Sequence, residues 1–475
     1  MINRYFLEKI SENFSFEFTS DQYSAITKIV DFIFNMSNNQ IFLLKGYAGT
    51  GKSSLIGSLV KTMNQFKQKS VLLAPTGRAA KVFSGYSGQS AYTIHKKIYR
   101  LDKFAEGDGN FLLDYNKHTH TLFIVDEASM INNEYSEYST FGSGRLLDDL
   151  MEYVYSGEGN RILFIGDTAQ LPPVKQDYSP ALDEDILSSY FFEIVSCTLT
   201  EIVRQSDNSG ILLNATRLRN SLSFGDTFDF PKLDVTTFKD VRKITGDDLI
   251  DEISNAYGND GINETIIISR SNKRTNAYNM GVRNSVLYRE EEISSGDLLM
   301  ITKNNYFWAR ENKEIEFLAN GEFVEVVRVR GSETMHGFRF CNVLLRHNDY
   351  NIEFDAKINL DTLHTDVPGL NRSQSDMLFN SVMQDYADYG NRREQYKRVK
   401  EDVYFNALQV KYGYAVTAHK AQGGEWKNVF LDVGYIDESY MGDNFYRWLY
   451  TSITRSTKML YLVNLSDDFI EPTKY

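Results

Sequence analysis

The stretch from Gly46 to Ser53 reads GYAGTGKS, and it lies between an apolar run, Ile41 to Leu44, and a segment whose Leu55, Leu59 and Met63 recur at helical spacing. A glycine, four residues and then Gly-Lys-Ser, entered from a buried strand and left through a helix, constrain the chain to an α/β sheet with a phosphate-binding turn. Glycines let the backbone curl until successive N–H groups converge on a polyphosphate, and the first helical turn adds its partial positive charge. The expected nucleotide contacts are Gly46, Ala48, Gly49, Thr50, Gly51, Lys52, Ser53 and Ser54. Lys52 is the group to reach the β- and γ-phosphates, and Ser53 is a ligand for Mg²⁺. The plain alternative is a glycine turn with an exposed lysine.

A second apolar strand closes on a pair of acids in LFIVDEASM, Leu122 to Met130. Asp126 and Glu127 therefore emerge at a C-terminal strand edge, where open α/β sheets place their ligand crevice. Asp126 suits Mg²⁺ beside Ser53, and Glu127 suits the attacking water of phosphoryl transfer. A third strand, Ile162 to Ile165, runs into GDTAQLPPV, whose Gln170 carries an uncharged amide able to donate to a γ-phosphate. A solvated acidic pair and an ordinary turn amide before Pro172-Pro173 are the alternatives.

Taken together, GYAGTGKS, LLAPTGRAAK, TIHK, VDEASM, GDTAQLPPV, LTEIVRQ, VTAHKAQGGEW and LYTSITRS resemble, in order and spacing, the motifs of superfamily 1B helicases, above all the RecD-like and Dda-like groups. They run from about Gln22 to Val463, nearly the whole chain. The resemblance implies two RecA-like domains, dependence on ATP and Mg²⁺, and 5′-to-3′ travel on single-stranded DNA with unwinding at single-strand/duplex junctions. It also implies arginines that reach the γ-phosphate from the second domain, here Arg204 and Arg455; a surface ion pair is the alternative for each. Gln22 resembles the adenine-reading glutamine, while Thr19 and Gln22 also fit a helix capping box. Thr76, Arg78, Thr93, His95, Thr417, His419 and Lys420 resemble the strand-gripping positions, whose donors suit phosphate oxygens without reading sequence. His95 and His419 equally suit packed neutral rings, and Ala421 stands where the family often has serine.

Four strands alternating with helices assign residues 1–196 to a first RecA-like ATP-binding domain. Within it, 99–120 reads as a β-hairpin whose Phe104 and Phe111 could wedge a duplex apart. A second RecA-like domain takes 197–290 and 408–475. Between its parts, 291–407 reads as an accessory insertion, short strands of an SH3-like barrel followed by a charged helical half.

Charge argues against bulk nucleic-acid binding: 51 Lys and Arg against 64 Asp and Glu leave −13. Any DNA track is then a local groove. Two cysteines without metal-type spacing fit a reducing compartment, and neither an N-terminal apolar block nor a membrane-length stretch is seen. The expectation is a soluble cytoplasmic monomer serving replication, repair or recombination. Alternatives within the class are a Pif-family helicase and an RNA-directed 1B enzyme; outside it stands a DNA-stimulated ATPase that recruits or binds without unwinding.

Overall fold

The computed structural model describes residues 2–35, 39–101, 111–135, 141–203, 209–310, 315, 317–367 and 369–471. Six parallel strands form the first sheet, in the order Ala91–Thr93, Lys69–Ala74, Thr121–Val125, Arg161–Gly166, Gln40–Gly46 and Glu193–Leu199. Helices cover both faces, so each strand alternates between two cores. Phe42, Leu44, Ile124 and Leu163 pack on one side with Leu55 and Leu59. Ile41, Leu43, Phe123 and Phe164 pack on the other with Leu147 and Leu150. That double burial is why these strands read as unbroken apolar runs.

The second sheet is also parallel, in the order Ala415–Thr417, Thr265–Ser269, Trp426–Asp432, Ser456–Val463 and Val241–Ile244. Leu298–Ile301, Phe323–Met335, Phe338–His347, Glu353–Asn359 and Leu408–Tyr412 close into a five-stranded barrel. Helices Arg372–Asp385 and Arg392–Lys400 lie between its last two strands in sequence. Where the chain enters and leaves the barrel, Asp297 receives a two-pronged bond from buried Arg283, at 3.0 Å to each oxygen, and further bonds from Arg289 and Tyr414. Such a buried ionic cluster specifies a single geometry more than it adds stability.

Two sheet edges fall elsewhere than the sequence divides them. Glu193–Leu199 pairs along its length with Gln40–Gly46, so the first sheet runs through Leu199 and the division after 196 cuts a strand. Leu408–Tyr412 pairs with Leu299–Ile301 and closes the barrel, so the insertion's strands extend past 407. In both cases the strand's own sequence carries no mark of which sheet it will join. The hairpin arms are Tyr99–Leu101 and Phe111–Leu113, antiparallel, with Tyr99 opposite Leu113. Phe104, at its turn, lies outside the described residues.

Candidate functional site

The strand Gln40–Gly46 delivers the phosphate loop to the cleft between the two sheets, and the helix Lys52–Gln65 leaves it. Gly49 and Gly51 hold φ of 79° and 80°, the left-handed region that a side chain strains. At Gly51 a Cβ would also stand 2.5 Å from the Gln22 amide nitrogen. Gln22 is fully buried and donates to Thr50 O at 2.9 Å, so it braces the loop from behind. Its Oε1 accepts from Thr19 N at 3.1 Å, and its own N–H bonds to Thr19 Oγ1 at 3.2 Å. The capping box is therefore formed, and the amide is already engaged at both ends.

Lys52 Nζ donates to the carbonyls of Gly46 and Tyr47, at 2.7 and 2.8 Å. Ser53 and Ser54 are exposed on the first turn of the helix. Across the loop, Asp126 accepts from the Tyr86 hydroxyl at 2.6 Å and from Glu127 N at 2.8 Å. Tyr86, on the helix Gly77–Ser87, thus fixes one carboxylate oxygen of a group that sequence reading treated alone. Glu127 follows with φ of 52°, a left-handed conformation rare outside glycine, which turns its side chain off the strand line. Burial holds the Glu127 carboxyl above the usual carboxylate range against the opposing pull of Arg455, while Asp126 pushes the same way as burial.

Arg455 comes from the other side of the cleft and is 5% exposed. It donates to Thr451 O, Gly424 O and Thr454 Oγ1, all within its own half of the cleft. Among the described residues no carboxylate lies within ion-pair distance of it, so the surface-ion-pair alternative does not describe this residue. Gln170 is 6% exposed, and its side-chain oxygen has no partner among the described residues. Arg204 lies outside the described residues.

The expected strand-gripping residues sit where the sheets meet, and most have a structural task. Thr76 and Thr93 cap the helices Gly77–Ser87 and Ile94–Ile98, accepting from Ala79 N and Lys96 N. Arg78 stacks 3.9 Å from the Trp426 ring and donates to Glu425 O at 2.7 Å, bridging the halves. His95 packs edge-on to Phe141 at 4.8 Å, and burial lowers its pKa to about 4, which fits the packed neutral ring. Burial also lowers His419 and Lys420, and Lys420 donates to Asn320 at 2.6 Å. Thr417 opens the short helix Ala418–Ala421 without a side-chain cap, and it lines with His419 an open cavity of about 710 Å³ beside Pro172 and Pro173. Phe111 lies 4.8 Å from the Phe141 ring and 4.4 Å from Tyr306, which belongs to the insertion. The second arm of the hairpin is therefore packed against the insertion through this ring, at its turn-side end.

Several side chains that connect the halves escaped sequence reading. Tyr450 bonds to Ala48 N and Asp167, Thr451 to Leu171 N, Gln422 to Leu171 O, and Arg447 to Thr168 O. Tyr450, Thr451 and Gln422 lie inside recognised motifs and Arg447 just before one, but nothing in a motif's letters says which neighbour turns across a cleft. For a divalent cation the donors present are the Ser53 hydroxyl and the Asp126 carboxylate, hard oxygens of the kind and number Mg²⁺ takes beside a phosphate. Among the described residues no cluster of three or more His, Cys, Asp or Glu could hold a metal by itself.

Residues 17–222 match a family model described as an AAA domain, and 412–463 match one described as a UvrD-like helicase C-terminal domain. Over 93% of this chain and 99% of its own length, uncharacterized protein R530 of Acanthamoeba polyphaga mimivirus is 25% identical. The ATP-dependent RecD2 DNA helicase of Deinococcus radiodurans is 24% identical over 89% of this chain, which spans 46% of that relative's length. The ATP-dependent DNA helicase dda of Enterobacteria phage T4 is 24% identical over 65% of this chain and 68% of its own. A solved structure of Pif1 helicase from Bacteroides in complex with ADP-AlF3 and ssDNA aligns over 97% of this chain and 95% of that chain, at 16% identity and a TM-score of 0.46.

Proposed function

Since the chain belongs to superfamily 1B of the helicases, we propose that it is an ATP-driven motor that moves 5′ to 3′ along single-stranded DNA and separates duplex ahead of it. The observation that carries this reading is the meeting of Lys52, Asp126 and Glu127 from one sheet with buried Arg455 from the other in a single cleft. Charge that spreads over a transferring phosphoryl group needs cations from more than one side, and an arginine delivered by the second half supplies its share only when the halves are together.

Within this reading Lys52 exchanges its carbonyl partners for phosphate oxygens, Glu127 accepts a proton from the attacking water, and Arg455 faces the γ-phosphate. Ser53 and Asp126 are the residues to hold Mg²⁺, which neutralises phosphate charge when bound. Gln170, Ser54 and the loop amides from Gly46 to Gly51 complete the nucleotide contacts. Hydrolysis followed by release of the cleaved phosphate removes the charge that Arg455 faces, the cleft loosens, and the contacts that bridge the halves release and re-form one after another. The strand contacts are Thr76, Arg78, Thr93, Thr417, His419 and Lys420. The motor works as a monomer in the cytoplasm, on single strands and their junctions with duplex, in replication, repair or recombination; both cysteines are free thiols. Among the described residues no helix is long and apolar enough to cross a membrane.

ATPase assays with and without single-stranded DNA test the coupling. Turnover should rise strongly with single-stranded DNA and weakly with blunt duplex; equal rates in the presence and absence of DNA would sink the motor reading.

A further inference from the structure

We propose that Tyr450 is a positioning residue of the nucleotide cycle, joining the phosphate loop to the Asp167 turn across the cleft and occupying an N–H that bound phosphate must claim. The inference rests on Gly46 to Ser53 being the ATP site. Tyr450 lies on the helix Asp443–Ile453 and is 1% exposed. A phenol has one hydrogen to give and lone pairs to accept with, and both functions are in use here. The hydroxyl accepts from Ala48 N at 2.9 Å and donates to Asp167 Oδ2 at 2.6 Å. Burial keeps the phenol protonated by raising it well above its ordinary range.

Asp167 is itself 1% exposed, and its other oxygen accepts from Ala169 N at 2.9 Å. Among the described residues, Tyr450 is its one side-chain donor, and no cation stands within ion-pair distance. The turn that follows is gripped by the same half of the molecule. Leu171 N donates to Thr451 Oγ1 at 2.8 Å, and Leu171 O accepts from Gln422 Nε2 at 2.7 Å. Gln170 lies between these anchor points. One hydroxyl therefore links three parts that must move in concert: the loop that binds phosphate, the turn that carries Gln170 and the helix that leads to Arg455.

Two consequences run in opposite directions. The phosphate loop binds through its N–H groups, so the bond from Ala48 to Tyr450 competes with the nucleotide and weakens its binding. The bond from Tyr450 to Asp167 keeps the turn in register with the arginine helix, so it favours turnover. A tyrosine that merely fills space would produce neither effect when its oxygen alone is removed.

Tyr450→Phe keeps the ring and its packing, and the full-length variant can be compared with the parent after thermal melts fix a temperature at which both are folded. The probe is a fluorescent non-hydrolysable ATP analogue with Mg²⁺, titrated without DNA, beside kcat and KM for ATP at saturating single-stranded DNA. Removing competition from one neutral hydrogen bond should tighten the analogue and lower KM by about two- to tenfold. At the same time kcat should fall. An analogue affinity that fails to tighten, or a kcat that fails to fall, overturns the proposal. Failure of the underlying site reads differently: the parent would not bind the analogue, or Lys52→Ala would bind and hydrolyse ATP as the parent does.

Discussion

The two ends of the cleft are built by different rules. At the phosphate end, cationic side chains are held by backbone atoms: buried Arg455 by Thr451 O and Gly424 O, half-buried Lys52 by Gly46 O and Tyr47 O. At the end proposed to grip the strand, Thr76 and Thr93 are helix caps, His95 is a packed ring, Arg78 lies on Trp426 and Lys420 is bonded to Asn320. Phosphoryl transfer needs fixed charge in a dry site, since a cation that must reorganise stabilises little. Holding a backbone without reading its bases needs only donors. A threonine hydroxyl that accepts a capping bond still has its hydrogen to give, and it stands beside the free N–H groups of a helix start. Structural work and grip are compatible at that end.

This contrast can be broken most severely at Arg455. Arg455→Ala should lower kcat by about 10³- to 10⁵-fold with a smaller change in nucleotide affinity, and Arg455→Lys should restore little, because an ammonium lacks the planar fork. Single-turnover hydrolysis measures both; near-parental rates would detach this arginine from the chemistry. Glu127→Gln should cost about 10²- to 10⁴-fold in turnover while ATP binding persists, since an amide cannot take the proton. Normal hydrolysis by that variant would move the base elsewhere.

At the other end the effects are smaller and structural in character. Phe111→Ala removes a ring packed on Phe141 and Tyr306, and the loss is bounded by the roughly 3 to 5 kcal/mol of a fully buried phenylalanine. Melting and unwinding should fall together, while ATPase stimulated by single strands persists. A stable variant that unwinds normally would leave Phe111 with no part in strand separation. Arg78→Lys should weaken the bridge to Trp426 by about 0.5 to 2 kcal/mol, read as a modest rise in the DNA concentration that half-stimulates ATPase.

The smallest effect is a pH slope. His95 is half-buried, and desolvation lowers its pKa to about 4, below its ordinary 6.5. The unfolded chain therefore binds this proton first as pH falls. Stability from this residue is fully present above about pH 6.5 and declines toward about pH 4. His95→Phe should flatten the melting-temperature profile over that window relative to the parent. An unchanged slope would place the ring in solvent.

Four of the first sheet's six strands were legible because double burial writes unbroken apolar runs, and the phosphate loop because few sequences satisfy its backbone. Asp126 and Glu127 followed from standing at a strand end. Tyr86, Asp167 and Gln422 were not legible, since their importance lies in which group faces them across 40 to 283 residues of sequence. The limits of the first sheet and the barrel were misplaced for a related reason: Glu193–Leu199 and Leu408–Tyr412 are assigned only by their partners, Gln40–Gly46 and Leu299–Ile301, which are distant in sequence. Arg78 shows the converse case, a residue found by resemblance whose stacking on Trp426 no spacing rule announces.

Directed, ATP-driven strand separation is the property from which every proposed role in the cleft follows. Unwinding should be measured with one duplex carrying a 5′ single-stranded tail and the same duplex carrying a 3′ tail, each with ATP and Mg²⁺, beside RNA versions of both. We expect the 5′-tailed DNA to be unwound in an ATP-dependent reaction and the 3′-tailed DNA to remain paired. Preference for the 3′ tail, preference for RNA, or ATP hydrolysis with no unwinding of any substrate would contradict it.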